Sequence, residues 1–131
     1  MSSEIDVLSE SLIDELVTAL GLPKTRFYHA LFWRLFRRVT DSLAKIGVPF
    51  DQITRDEGLP AASSWCLDQF CEGIRVVGKE NVPAEGPLMV TSNHPGAYDG
   101  LVLFTEVGRK DMTWVSSEIP FLDALPNLRE H

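Results

Sequence analysis

The chain has 131 residues, a length that fits one domain of ordinary size and excludes two full-sized cores. Hydrophobic residues make up 44% of the chain and charged residues 24%, a composition typical of globular proteins that excludes a disordered or fibrous one. The net charge of −7 argues against a nucleic-acid partner, because nucleic-acid binding depends on neutralising phosphates.

No part of the sequence predicts export or a membrane span. No apolar run approaches the ~20 residues that a spanning helix needs, and the acidic start, with Glu4 and Asp6, is unlike a secretory signal. The two cysteines, Cys66 and Cys71, fit neither a CxxC redox pair nor a zinc site. We therefore expect an intracellular protein with buried thiols and no transmembrane anchor.

The charges divide the chain into three parts. Residues 1–23 carry five acids and no base, and residues 24–45 carry six bases and one acid. The remaining residues, 46–131, carry six bases and thirteen acids. Positive charge is therefore concentrated in one short region.

Apolar side chains repeat at three- and four-residue spacing over residues 4–20, which predicts a first amphipathic helix that Gly21 and Pro23 end. A third, shorter helix is predicted from residue 60 to about residue 72, before Gly73.

A longer second helix is predicted from residue 25 to about residue 46, where Gly47 and Pro49 are expected to end it. One of its faces is apolar and consists of Phe27, Leu31, Leu35, Val39, Leu43 and Ile46. Aromatic residues alternate with arginines in its middle: Phe27, Tyr28, Phe32, Trp33 and Phe36 with Arg34, Arg37 and Arg38. These residues predict either a helix lying on an anionic membrane surface or aromatic packing against neighbouring helices beside a solvated basic face.

Beyond residue 73 the pattern changes to short runs typical of strands. Strands are predicted at residues 74–77, 88–92 and 112–116, with a helix over residues 101–110 and a short helix or turn within residues 119–128. A strand, a helix and a strand over this length form a βαβ unit with parallel strands. We therefore expect an α/β fold, with a helical region at residues 1–72 and an incomplete, mostly parallel sheet in residues 73–131.

Residues 93–100, which read NHPGAYDG, lie between the second predicted strand and the following helix, an edge where α/β proteins bind ligands. Pro95 and Gly96 favour a chain reversal, which would bring His94 and Asp99 together. A carboxylate that holds one imidazole nitrogen leaves the other free to take a proton from an alcohol. The alternative is that Asp99 caps a helix while His94 bonds a nearby carbonyl.

Three segments together resemble the first sequence block of the glycerolipid acyltransferases related to lysophosphatidic acid acyltransferase: residues 77–83 (VGKENVP), 86–90 (GPLMV) and 93–100. The resemblance implies that His94 is the base that activates the acceptor hydroxyl and that Asp99 orients it. It also implies an acyl thioester donor, either acyl-CoA or acyl carrier protein, and a lysophospholipid or related lipid acceptor. It implies no metal or redox cofactor, and it suits a peripheral enzyme at the cytoplasmic face of a membrane.

The residues after His94 are Pro95 and Gly96 instead of the commoner Arg/Gln-Ser, which looks more like the branch with ornithine-lipid and haemolysin-like acyltransferases. The resemblance covers residues 74–116, and the family's later phosphate-holding blocks do not follow. We interpret Arg109 and Arg129 as solvated surface charges.

The sequence therefore predicts the N-terminal part of an acyltransferase domain, poorly active by itself and active when extended through the missing blocks. The alternative is a noncatalytic module that binds a membrane or another partner.

Overall fold

The computed structural model describes residues 2–93, 98–115 and 119–130. All the regular secondary structure of these residues is helical: α1 (Ser2–Ala19), α2 (Arg26–Glu57), α3 (Leu59–Leu67), α4 (Asp99–Val107) and α5 (Pro120–Asp123), with 3-10 turns at Lys79–Asn81 and Leu128–Glu130.

The first helix confirms the sequence prediction closely. Its end is fixed by Gly21, whose φ of 67° is a left-handed conformation that glycine adopts without strain. The N–H of Gly21 donates to the Thr18 carbonyl at 2.9 Å, and the N–H of Leu22 donates to the Val17 carbonyl at 3.1 Å. This pair of bonds satisfies the last carbonyls of α1 and turns the chain back toward α2.

The second helix is longer than predicted, because neither Gly47 nor Pro49 ends it. Pro49 lies inside α2, and the helix ends only at Gly58, whose N–H donates to the carbonyls of Ile53 and Thr54. Gly47 is buried, and a Cβ placed on it would lie 2.6 Å from Cδ2 of Leu8. The glycine thus allows α1 to approach α2 closely.

Two hydrophobic clusters hold the helices together. The larger one joins α1, α2, α3, α4 and the C-terminal turns through ten buried residues: Leu8, Ala44, Val48, Phe50, Leu59, Ala62, Cys66, Phe104, Leu125 and Leu128. The smaller one, formed by Ile13, Val17 and Phe32, fixes the N-terminal part of α2 on α1. Side chains from both predicted regions, residues 1–72 and residues 73–131, meet in the larger cluster, and the division between these regions stays a prediction.

The predicted α/β fold, with its mostly parallel sheet and βαβ unit, is wrong, because the described residues contain no strand. Alternating β-branched residues favour an extended backbone, but a strand also needs a neighbour that pairs with its N–H and C=O groups. The described residues of the three segments run outside any sheet, with Val77, Met89 and Val115 85%, 87% and 90% exposed. The helix predicted between the last two strands does form, as α4, but it packs against α3.

A buried carboxylate connects the C-terminal turns to α2. Asp51 is 6% exposed, and its Oδ1 accepts hydrogen bonds from the backbone N–H groups of Asn127 and Leu128, each at 3.0 Å. Its Oδ2 accepts a third bond from the side-chain amide of Asn127. These contacts join residues more than seventy positions apart.

We expect Asp51→Ala to lower the free energy of unfolding by about 3 kcal/mol, because the N–H groups of Asn127 and Leu128 lose their hydrogen-bond acceptor. The measurement is urea unfolding followed by circular dichroism. Asp56→Ala is the matched control, since Asp56 is an exposed carboxylate on the same helix that pairs with its neighbour Arg55. Equal unfolding midpoints for the two variants would contradict this role of Asp51.

The contact at Gly47 predicts an energetic coupling with Leu8. Gly47→Ala should stabilise α2 through its higher helix propensity, but its Cβ should clash with Cδ2 of Leu8. In a Leu8→Ala background the clash is absent and only the stabilisation by helix propensity remains. A double-mutant cycle of unfolding free energies should therefore give a coupling of about 1 kcal/mol or more. Additive effects of the two substitutions would show that the approach is not close in solution.

Candidate functional site

Of the two residues of the predicted catalytic pair, Asp99 lies within the described residues and His94 does not. Asp99 is the first residue of α4 and is half-buried, so its carboxylate lies in the first turn, where the helix dipole favours negative charge. His94, with Pro95 and Gly96, lies outside the described residues. The start of α4 therefore agrees with the position proposed for Asp99, and the pairing of His94 with Asp99 stays a prediction.

Aromatic contacts fix α4 at both ends. The rings of Tyr98, just before α4, and Phe70, just after α3, have centroids 5.2 Å apart. Phe104 is buried in the main cluster and meets Trp114 edge to face at 5.4 Å. The end of the NHPGAYDG block is therefore connected to α3 through Tyr98.

The segment before the block is also tied to α4. Lys79 Nζ forms an ion pair with Glu106 Oε2 at 2.9 Å, and Arg109 Nη1 donates to the Gly86 carbonyl at 2.8 Å. Arg109 also pairs with both carboxylate oxygens of Asp111, at 2.9 and 2.6 Å, and this contact lowers the pKa of the Asp111 carboxyl. Residues 77–90, which carry part of the family resemblance, are thus joined at Lys79 and Gly86 to α4 and the residues that follow it.

These contacts correct our interpretation of Arg109 as a solvated surface charge. Its side chain is only 14% exposed, and it joins two segments of the chain. Arg129 is exposed, as predicted.

The predicted apolar face of α2 points to solvent over most of its length. Phe27 and Leu35 are 70% and 63% exposed, and we call the row of five exposed residues the α2 stripe: Phe27, Leu31, Leu35, Val39 and Leu43. The face that α2 buries is made of smaller or polar residues for much of its length, including Thr40, Ala44, Gly47 and Val48. Ile46, the last residue of the predicted face, packs against the main cluster.

The three central arginines of α2 have different surroundings. The Arg37 guanidinium lies 4.7 Å from the centre of the Trp33 ring, and its Nε lies 3.4 Å from Asp41 Oδ2. Arg34 and Arg38 are exposed beside the stripe, and their guanidinium groups make no hydrogen bond or ion pair with the described part of the chain. Their charges are therefore available to a partner.

The sequence predicts that the aromatic residues of α2 either lie on a membrane surface or pack against neighbouring helices, and in the structure some are exposed and others are packed. Phe32 is buried against α1, and Tyr28 and Trp33 pack against the same small cluster. Phe27 and Phe36 are exposed. Hydrophobicity alone could not separate these two groups, but a search for small residues repeating along the other face of α2 would have found its buried side.

The remaining candidate groups make local contacts. His29 Nε2 lies 3.7 Å from Asp14 Oδ1, which joins α2 to α1 at a partly exposed position. Cys66 is buried, as predicted, and burial raises the pKa of its thiol. Cys71 is half-buried, and both thiols are free. No cluster of three or more histidine, cysteine or acidic side chains that could hold a metal ion occurs among the described residues.

Comparison of the chain with protein-family models, with curated proteins and with solved structures gives no match. Across the described ranges, no helix combines the length and the apolar character needed to cross a membrane.

The position of Arg109 predicts that it holds the segment around Gly86. We expect Arg109→Gln to speed amide hydrogen exchange in residues 79–90 roughly fivefold, because the bond to the Gly86 carbonyl and the charge beside Asp111 are lost. Hydrogen exchange followed by mass spectrometry measures the effect. Arg129→Gln removes an exposed arginine and is the control. Unchanged exchange in both variants would contradict the role of Arg109.

Proposed function

We propose that the protein is an acyltransferase that moves a fatty acyl group from a thioester to the hydroxyl of a lysophospholipid or related lipid. The observation that carries the proposal is the NHPGAYDG block with its lead-in, in which Asp99 begins α4. The ties of Lys79 and Arg109 support it, since they hold the lead-in beside the helix that follows the block. The proposal rests on these residues and not on a sheet.

In the proposed reaction His94 is the general base. One imidazole nitrogen takes the proton of the acceptor hydroxyl while that oxygen attacks the thioester carbonyl carbon. The resulting tetrahedral oxyanion collapses, the carbon–sulfur bond breaks, and the thiol leaves with a proton returned by the imidazolium. Asp99 accepts a hydrogen bond from the other nitrogen, fixes the tautomer and stabilises the transient positive charge.

The donor and the acceptor define where the reaction takes place. Acyl-CoA and acyl carrier protein are both thioesters, so either supplies the same leaving thiol, and no metal or redox cofactor takes part in the step. A lysophospholipid resides in a membrane surface, so the proposal places the enzyme peripherally at the cytoplasmic face of a membrane.

The test is transfer of a labelled acyl group from acyl-CoA or acyl carrier protein to lysophospholipid. It compares the 131-residue chain with a version extended through the family's later blocks, and we expect turnover mainly from the latter. His94→Ala should lower kcat roughly 10²-fold to 10⁴-fold, and Asp99→Asn should lower it by a smaller factor, because the base keeps its nitrogen but loses its orientation.

The matched control is His29→Ala, which removes a histidine that lies beside an aspartate on the helical hairpin. This variant should keep full activity. Full activity of the His94→Ala variant would overturn the catalytic role of His94, and no transfer by either unsubstituted chain would overturn the proposed activity.

A second candidate function is a noncatalytic module that binds a membrane or another partner. The exposed α2 stripe, with Arg34 and Arg38 beside it, is the observation that favours it. Membrane binding without acyl transfer in any form of the chain would select this candidate.

A further inference from the structure

We infer that α2 lies flat on an anionic lipid surface, with the α2 stripe inserted among the lipids and with Arg34 and Arg38 on their phosphates. The inference deepens the proposed function, on which it rests for the lipid nature of the partner, and its test requires no acyl transfer.

The stripe has the geometry of an interfacial helix face. Its residues follow one another at four-residue spacing from Phe27 to Leu43, which on an α-helix gives a row of about 24 Å that winds about 40° around the helix at each step. The middle three, Leu31, Leu35 and Val39, therefore lie within about 80° of one another and form its central face. All five are exposed, whereas α1 covers a different side of α2. The central face of this row can enter the headgroup region of a bilayer without any change in the fold, with Phe27 and Leu43 at its two edges.

The charges around the stripe select an anionic partner. All six bases in residues 24–45 are exposed, and Arg37 contacts the Trp33 ring and Asp41. The five others are Lys24, Arg26, Arg34, Arg38 and Lys45. Asp41, the one acid of this segment, also accepts a hydrogen bond from Ser9 of α1 at 2.8 Å. The aliphatic parts of arginine and lysine can follow the stripe while their charged ends reach lipid phosphates.

The uneven distribution of charge also fixes the orientation. Helix α1 carries five acids and no base, and the whole chain has a net charge of −7. An anionic surface would therefore repel most of the protein and attract only the outer side of α2. The same basic side would repel a second copy of itself, so charge complementarity favours a membrane over self-association through the stripe.

The experiment is co-sedimentation of the chain with vesicles of phosphatidylglycerol and phosphatidylcholine, compared with vesicles of phosphatidylcholine alone. We expect binding only to the anionic vesicles, and we expect it to weaken at high salt. Arg34→Gln together with Arg38→Gln should weaken binding roughly 10-fold to 30-fold. Phe27→Ser together with Leu35→Ser should weaken it at least about tenfold, because apolar insertion is lost.

The matched control is Arg55→Gln together with Arg75→Gln, which removes the same charge from exposed positions outside the stripe. This double variant should bind as the unsubstituted chain does, and so should His94→Ala, whose failure in catalysis is thereby separated from failure of binding. All the substituted positions of the stripe are exposed, and circular dichroism checks that each variant is folded.

Three outcomes would overturn the inference. The first is no binding of the unsubstituted chain to anionic vesicles. The second is an equal loss of binding in the control and in the Arg34 and Arg38 variant, which would show a response to net charge alone. The third is a dimer that Leu35→Ser dissociates, without vesicle binding, which would make a second copy the occupant of the stripe.

Discussion

The close contact between α1 and the small-residue side of α2 decides which side chains of this protein face solvent. Leu8 fills the space beside Gly47, where a Cβ would lie 2.6 Å from its Cδ2. About two turns before Gly47 on α2, the Thr40 hydroxyl lies 2.7 Å from the hydroxyl of Ser9, the residue after Leu8, and the pair satisfies polar groups in the buried contact. Because α2 buries this side, the five apolar residues of the α2 stripe remain outside, together with Arg34 and Arg38.

The sequence predicts the helices better than their ends and packing. Three- and four-residue spacing was sufficient for α1, and Gly21 does end it. The same type of residue fails as an end signal at Gly47, because there glycine serves close packing and tertiary contacts hold α2 together across Pro49. The sheet was predicted wrongly for a related reason: Ile74, Val76 and Val77 favour an extended backbone, but no local pattern reveals whether a neighbouring strand exists.

The candidate site shows the same limit. The position of Asp99 at the start of a helix follows from the NHPGAYDG block, which is local in sequence. The contacts of Lys79 with Glu106 and of Arg109 with Gly86 join residues 27 and 23 positions apart, and no spacing rule predicts them. The outward orientation of the α2 stripe does not follow from hydrophobicity, since ranking faces by hydrophobicity selects the stripe as the buried side although α1 covers Thr40, Ala44 and Gly47.

The buried thiol of Cys66 gives the protein an internal probe of its own local stability. Burial raises the pKa of this thiol, so in the folded state it is protonated, covered and slow to react with alkylating reagents. Reaction requires α3 to separate from the cluster that also contains Phe104 of α4, and the labelling rate therefore measures how often that contact opens. Cys71, half-buried beyond the end of α3, supplies a second thiol in the same molecule for comparison.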